Sequence, residues 1–178
     1  MPPKDMKYWY MLPCAVNEST IGTAIIEIFK QFHANPNVQV TLYISSTGGD
    51  IDSAIRFYDF IKSSKIRLNT VGFGQVDSAA LVLFLSGTKR TLVKDCRVRL
   101  HEPTYSGPQQ AQVISVHKET TSLLQELDKR YFEIIASELQ KPEGDTRNIL
   151  VEGKVLSATE ALEMKIATEI KDEFPVDR

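Results

Sequence analysis

Ser78 follows the stretch GFGQVD, with glycines at 72 and 74, and opens an apolar run, AALVLFL, that closes at Gly87. A serine at a helix start sits among free backbone N–H groups and at the positive end of the helix dipole. That suits a nucleophile whose attack creates a negatively charged intermediate. It equally suits a serine that only caps the helix, and spacing alone does not separate the two. His101 ends the strand-like run RVRL and precedes Glu102 and Pro103. An imidazole at a strand end can face a cleft, and its ordinary pKa range suits a general base. The alternative is a satisfied surface histidine. His33, at a helix end, and His117, on the polar part of a long helix, are weaker candidates. Gly48 and Gly49 end a strand and open a helix, so their turn can present an amide to an oxyanion or can be a tight connection only. A nucleophile, a base and free amides are together what acyl transfer requires.

The elements that must position these residues alternate between strand and helix patterns, which predicts a layered α/β fold. Ile21, Ala24, Ile25, Ile28, Phe29 and Phe32 recur at helical spacing, with Asn17 or Ser19 as the cap. Val38, Val40, Leu42 and Ile44 alternate with polar residues and run as a strand into STGGD. A second helix carries Ile51, Ala54, Ile55, Tyr58 and Ile61 on one face, and Ile66 to Val71 reads as the next strand. Thr91 to Val93 and Arg97 to Leu100 are short strands. Pro108 opens a long helix sustained by Leu123, Leu124, Leu127, Tyr131, Ile134, Ile135 and Leu139, longer than a small core covers, so that it protrudes or packs on a partner. Lys141 to Asp145 is a polar break, and Ser157 with Glu160 forms a capping box for a last short helix. Strand, turn and helix in that order imply βαβ units with right-handed crossovers.

A chain of 178 residues fits one domain with a sizeable core. Hydrophobic residues at 42% and charged residues at 25% are ordinary for a globular protein, and a net charge of −2 argues against a nucleic-acid or anionic-membrane partner. No apolar stretch reaches the roughly 18 residues of a membrane span. The N-terminal MPPKDMKYWYMLPCAV is too broken by Lys7 and Pro13 for a secretory signal. Cys14 and Cys96 have no metal-ligand spacing and read as reduced core thiols of a cytoplasmic protein.

Taken together, four segments resemble those of the ClpP-like serine peptidases, the proteolytic subunits of the Clp protease. YISSTGGDIDSAIRFYDFI is similar to the segment around that family's Ser-Pro-Gly-Gly turn. GFGQVDSAALVLFLSG resembles its Gly-Gln-Ala-Ala-Ser-Met-Gly nucleophile segment and sets Ser78 on the serine; RVRLHEP resembles its Arg-Val-Met-Ile-His-Gln-Pro segment and sets His101 on the histidine. VLSATEALEMKIATEI is similar to its C-terminal Leu-Ser-Ala-x-Glu-Ala stretch. Order and spacing match from about Tyr10 to Ile170. The resemblance implies a crotonase-like α/β fold of repeated ββα units as one domain over 1–178, with a protruding handle helix at about 108–140. It implies a serine endopeptidase with Ser78 as nucleophile, His101 as base, and the amides of Gly49 and Ala79 as oxyanion hole. It further implies stacked seven-membered rings, unfolded chains as substrate delivered by an AAA+ ATPase, and no cofactor or metal.

Three departures qualify those expectations. The family's catalytic Asp position falls on Gly153, leaving Glu152, Asp145 or Glu143 as substitutes, or a dyad without an acid. Asp77 stands where the family has Ala, and reads as a cap for the helix after Ser78; Thr47 replaces the turn proline. Few residues precede Tyr8 to Leu12, so the axial segment that engages the ATPase lacks a counterpart, which weakens that partnership. A non-catalytic ring or binding subunit is therefore the second reading. Acyl-CoA chemistry on the shared crotonase-like fold is a distant third, since no CoA-binding feature is present.

Overall fold

The computed structural model describes residues 6–105 and 114–175, with side chains from 119 onward in the second stretch. The expected start of the long helix at Pro108, and the side chain of His117, lie outside the described residues.

Five strands form a parallel run in the order β1 (Lys7–Leu12), β2 (Gln39–Ser46), β3 (Arg67–Asp77), β4 (Lys89–Val93) and, from the far end of the chain, β7 (Glu169–Lys171). Helices α1 (Glu18–Ala34) and α2 (Ile51–Ser63) connect the first three strands. Asn17 caps α1, accepting from the Thr20 amide while Thr20 receives the Asn17 amide; Ser19 is not the cap. Ile21, Ala24 and Ile28 are buried on its inner face, but Phe29 lies 52% exposed and stacks on His33, one position round the helix from the core. Cys96 is buried, whereas Cys14 is exposed and is not a core thiol.

Strand β3 departs most from the sequence reading. The alternation predicts its end at Val71, yet it continues through Gly72–Asp77. It changes partner on the way. Asn69 to Gly72 pair with β4, while Gln75 to Asp77 pair with β5 (Arg97–Leu100). Gly74 turns the chain between these halves with φ +63, and the β2 register shifts at the same level, between Ile44 and Ser46. A side chain at Gly72 would collide with Leu92 and Val76 at 2.6 and 2.8 Å, so close strand packing demands glycine there. Helix α3 (Ala79–Leu85) follows at once and is buried on every side, the position of a helix that is apolar all round.

Helix α4 (Ile114–Leu139) has two characters. Leu123 is 56% exposed, while Tyr131, Phe132, Ile134 and Ile135 are buried in the core shared by the described elements. Its foot is pinned by Glu138, which accepts from Tyr58 Oη at 2.7 Å and pairs with Lys62 and with the largely buried Arg90, each at 2.8 Å. The polar break after α4 is shorter than expected. Glu143 opens α5 (Glu143–Glu152), a helix the sequence conceals because only Thr146 and Leu150 are buried along it. Strand β6 (Lys154–Leu156) pairs antiparallel with β5, and Ser157 caps α6 (Ala158–Glu163) in the expected box with Glu160. Among the described residues no helix is long and apolar enough to cross a membrane.

Candidate active site

Ser78 stands at the carboxyl end of β3 with φ +56 and ψ −126. Those angles match the first central position of a type II′ turn, which normally belongs to glycine. The strand-to-helix turn is therefore sharp and strained at this residue, on the order of 1–3 kcal/mol. Its side chain makes no capping hydrogen bond, so the capping explanation of Ser78 does not hold. The Ser78 amide donates to the Arg99 carbonyl at 3.2 Å, tying the turn to β5 two residues before His101. Ser78 and His101 thus stand half-buried at the carboxyl ends of adjacent parallel strands.

The Gly48–Gly49 turn packs directly on the Ser78–Ala79 turn. A Cβ on Gly48 would lie 2.7 Å from Ser78 Cβ and 2.9 Å from the Ala79 nitrogen, and one on Gly49 would lie 2.3 Å from the Val16 carbonyl oxygen. With φ +89 and +143, both positions require glycine twice over, for backbone conformation and for space. The flanking bonds, Val16 N–H to the Gly48 carbonyl at 2.9 Å and Asp50 N–H to the Val16 carbonyl at 2.8 Å, hold the turn while leaving the Gly49 amide out of the bridge. Neither the Gly49 nor the Ala79 N–H has an acceptor among the described residues. Ala79 is the first residue of α3, where an N–H has no partner within its helix. Gly49 is exposed, so this corner is open to solvent.

His101 Nδ1 lies 2.7 Å from the Glu102 carbonyl oxygen. A carbonyl can only accept, so in this contact Nδ1 carries the proton and Nε2 is left as the basic nitrogen. From α4, Tyr131 donates to the His101 carbonyl at 3.3 Å, and the buried Tyr131 phenol is pushed up by desolvation.

Among the described residues no carboxylate stands where a third member is expected. The β5–β6 ladder pairs Arg99 with Val155 and Leu100 with Lys154, so one further step sets His101 opposite Gly153. Nothing lies within 4 Å of where a Gly153 side chain would be. Glu152 is 66% exposed and paired with Lys154 at 2.9 Å. Asp145 and Glu143 stand in the first turn of α5, and Asp145 is about 12 Å along the helix from Gly153 at ~1.5 Å per residue. The structure brings none of the three to His101.

Asp77 is not the cap expected of it. It is the last residue of β3, only 4% exposed, and its Oδ2 meets Arg97 at 3.2 Å. Its Oδ1 is buried without a hydrogen-bond partner among the described residues. Cys96 nearby has its thiol pushed up to about 12, first by burial and then by the Asp77 charge. The sequence marked Asp77 as unusual but gave no sign of its burial. The Glu102 carbonyl had no signal in the sequence at all, because any residue type supplies one.

A sequence model of the family described as Clp protease matches residues 11–173. The chain is 30% identical over 138 residues to the ATP-dependent Clp protease proteolytic subunit 2 of Frankia casuarinae, covering 76% of this chain and 62% of that protein. It is 31% identical over 159 residues to the subunit 2 of Corynebacterium jeikeium, covering 88% and 75%. With the subunit 1 of Corynebacterium glutamicum it shares 32% identity over 160 residues, covering 88% and 76%.

Proposed function

The chain belongs to the Clp protease family, and on that premise we propose that it is a serine peptidase subunit working through a Ser78–His101 dyad. The reading rests above all on Ser78, held in a glycine-like backbone conformation with a side chain not spent on its helix. A strained residue that does no capping calls for a use for its hydroxyl. In this mechanism Nε2 of His101 takes the Ser78 proton as Oγ attacks the peptide carbonyl, and returns it to the leaving amine. The Glu102 carbonyl holds the imidazole in the required tautomer, the part a carboxylate plays in the full triad. The Gly49 and Ala79 amides stabilise the oxyanion. A carbonyl orients but carries no charge, so the rate is lower than a triad would give, with loss of the acid costing on the order of 10⁴-fold in the serine protease template.

The substrates in this reading are small peptides or unfolded chains, cleaved inside a ring of identical, seven-fold arranged subunits. An ATPase that feeds the ring is part of the reading because the relatives are named ATP-dependent. The second reading, a non-catalytic ring subunit, draws its support from the bare Gly153 position opposite His101.

Turnover of a fluorogenic peptide separates the two. Ser78→Ala and His101→Gln should each lower kcat by a factor of about 10² with KM little changed, and the double variant should lose no more than either alone. Equal turnover in wild type and Ser78→Ala would leave the non-catalytic reading in possession.

A further inference from the structure

Asp77 is the only acidic residue buried among the described residues, and the mechanism above makes no use of it. Among the described residues its Oδ1 has no hydrogen-bond partner, an arrangement that native proteins rarely keep without a reason. Among the described residues its one ion-pair contact, Arg97, is 54% exposed and also binds Gln75. The carboxylate is thus only partly neutralised.

Its place in the ladder gives that residual charge a target. Gln75 pairs with Arg97 and Asp77 with Arg99 in parallel register. Side chains alternate along a strand, so Asp77, Arg97 and Arg99 share one face of the sheet, and His101 follows one residue past the end of β5. His101 stands two residues beyond the partner of Asp77, about 8 Å away by strand spacing and rise. The imidazole, meanwhile, acquires a full positive charge on taking the serine proton, and position 153 offers nothing to balance it. An incompletely neutralised charge in a low-dielectric setting still acts over such a distance.

We propose that the buried Asp77 supplies the counter-charge for the His101 imidazolium, a positioning residue that acts through His101 by its field and compensates from β3 for the side chain missing at Gly153. This rests on the dyad reading. The other charged groups on the flanking elements are Arg97 and Arg99 on β5, Glu102 after it, the Lys154–Glu152 pair at 2.9 Å across β6, and the Arg147–Asp128 pair at 3.5 Å between α5 and α4. The two pairs are each neutral overall. Both arginines oppose the effect, but Arg99 is exposed and Arg97, though in contact with Asp77 at 3.2 Å, is 54% exposed, so water screens their charge more than that of the buried Asp77.

The experiment is an NMR titration of the His101 imidazole, assigned by its loss in His101→Gln, in the full chain and two variants. Removing a nearby negative charge disfavours the protonated ring, so Asp77→Asn should lower the midpoint by on the order of one pH unit, a roughly tenfold loss of proton affinity. Arg97→Gln removes the opposing cation and should raise it. A purely structural clamp between the strands would move both variants the same way or neither. An unchanged midpoint in Asp77→Asn, or shifts of the same sign in both variants, overturns the proposal. Should Asp77→Asn fail to fold, a fall or no change in Arg97→Gln overturns it alone. The titration does not depend on turnover, so a peptidase reading that fails on kinetics leaves this result standing, and the reverse also holds.

Discussion

Ser78 adopts angles that glycine reaches without strain, and this reverses the usual outcome of replacing a residue by glycine. Such a change ordinarily costs about 0.5–1 kcal/mol through the freedom gained by the unfolded chain. Here the relief of φ +56 works the other way and is worth about 1–3 kcal/mol. Ser78→Gly should therefore raise unfolding stability by about 1 kcal/mol while abolishing turnover. Ser78→Ala keeps the Cβ and should abolish turnover without that gain. Urea unfolding at unchanged m-value measures both, and a glycine variant less stable than the alanine variant would refute the strain. Stability given up at a residue whose loss harms only activity is the pattern of a functional site.

At the level of elements, β3 and β6 decide the site. By changing partner at Gly74, β3 delivers Ser78 beside the end of β5, and β6, whose last registered pair is Leu100 with Lys154, sets Gly153 one step from that end, where His101 follows. Gly153→Asp should then place a carboxylate across from the imidazole. We expect kcat to rise tenfold or more, and stability to fall by about 1–2 kcal/mol because a non-glycine residue must accept φ +70 and ψ 96. An unchanged kcat in a folded variant would mean that the ladder does not continue to His101. Little of this was legible in the sequence. Alternation of Val38 to Ile44 announced β2, and the Ser157–Glu160 box announced α6, because local patterns fix them. The second half of β3 was hidden because Gly72 and Gly74 break the apolar alternation, their reason being close packing and a turn rather than the end of a strand. Helix α5 was hidden because it buries so little that no periodicity marks it.

For the molecule as a whole, the match over residues 11–173 to the Clp protease family agrees with the parallel sheet, the covered helices and the long α4. Four ordered segments single out Ser78 and His101 in the sequence. Their surroundings are not legible there, since the Glu102 carbonyl, the Gly48–Ser78 contact and the buried Asp77 have no signature in residue type or spacing. Leu123 on α4 is exposed, and the side chains of α4 before 119 lie outside the described residues.

The central claim is that Ser78 is activated by His101, and its most direct measurement is covalent labelling of the assembled protein with a fluorophosphonate, read by intact mass and peptide mapping. The account predicts one adduct per chain, on Ser78, formed on the order of 10²-fold more slowly in His101→Gln. A folded, assembled protein that takes no label, or takes it equally fast without the imidazole, would contradict it.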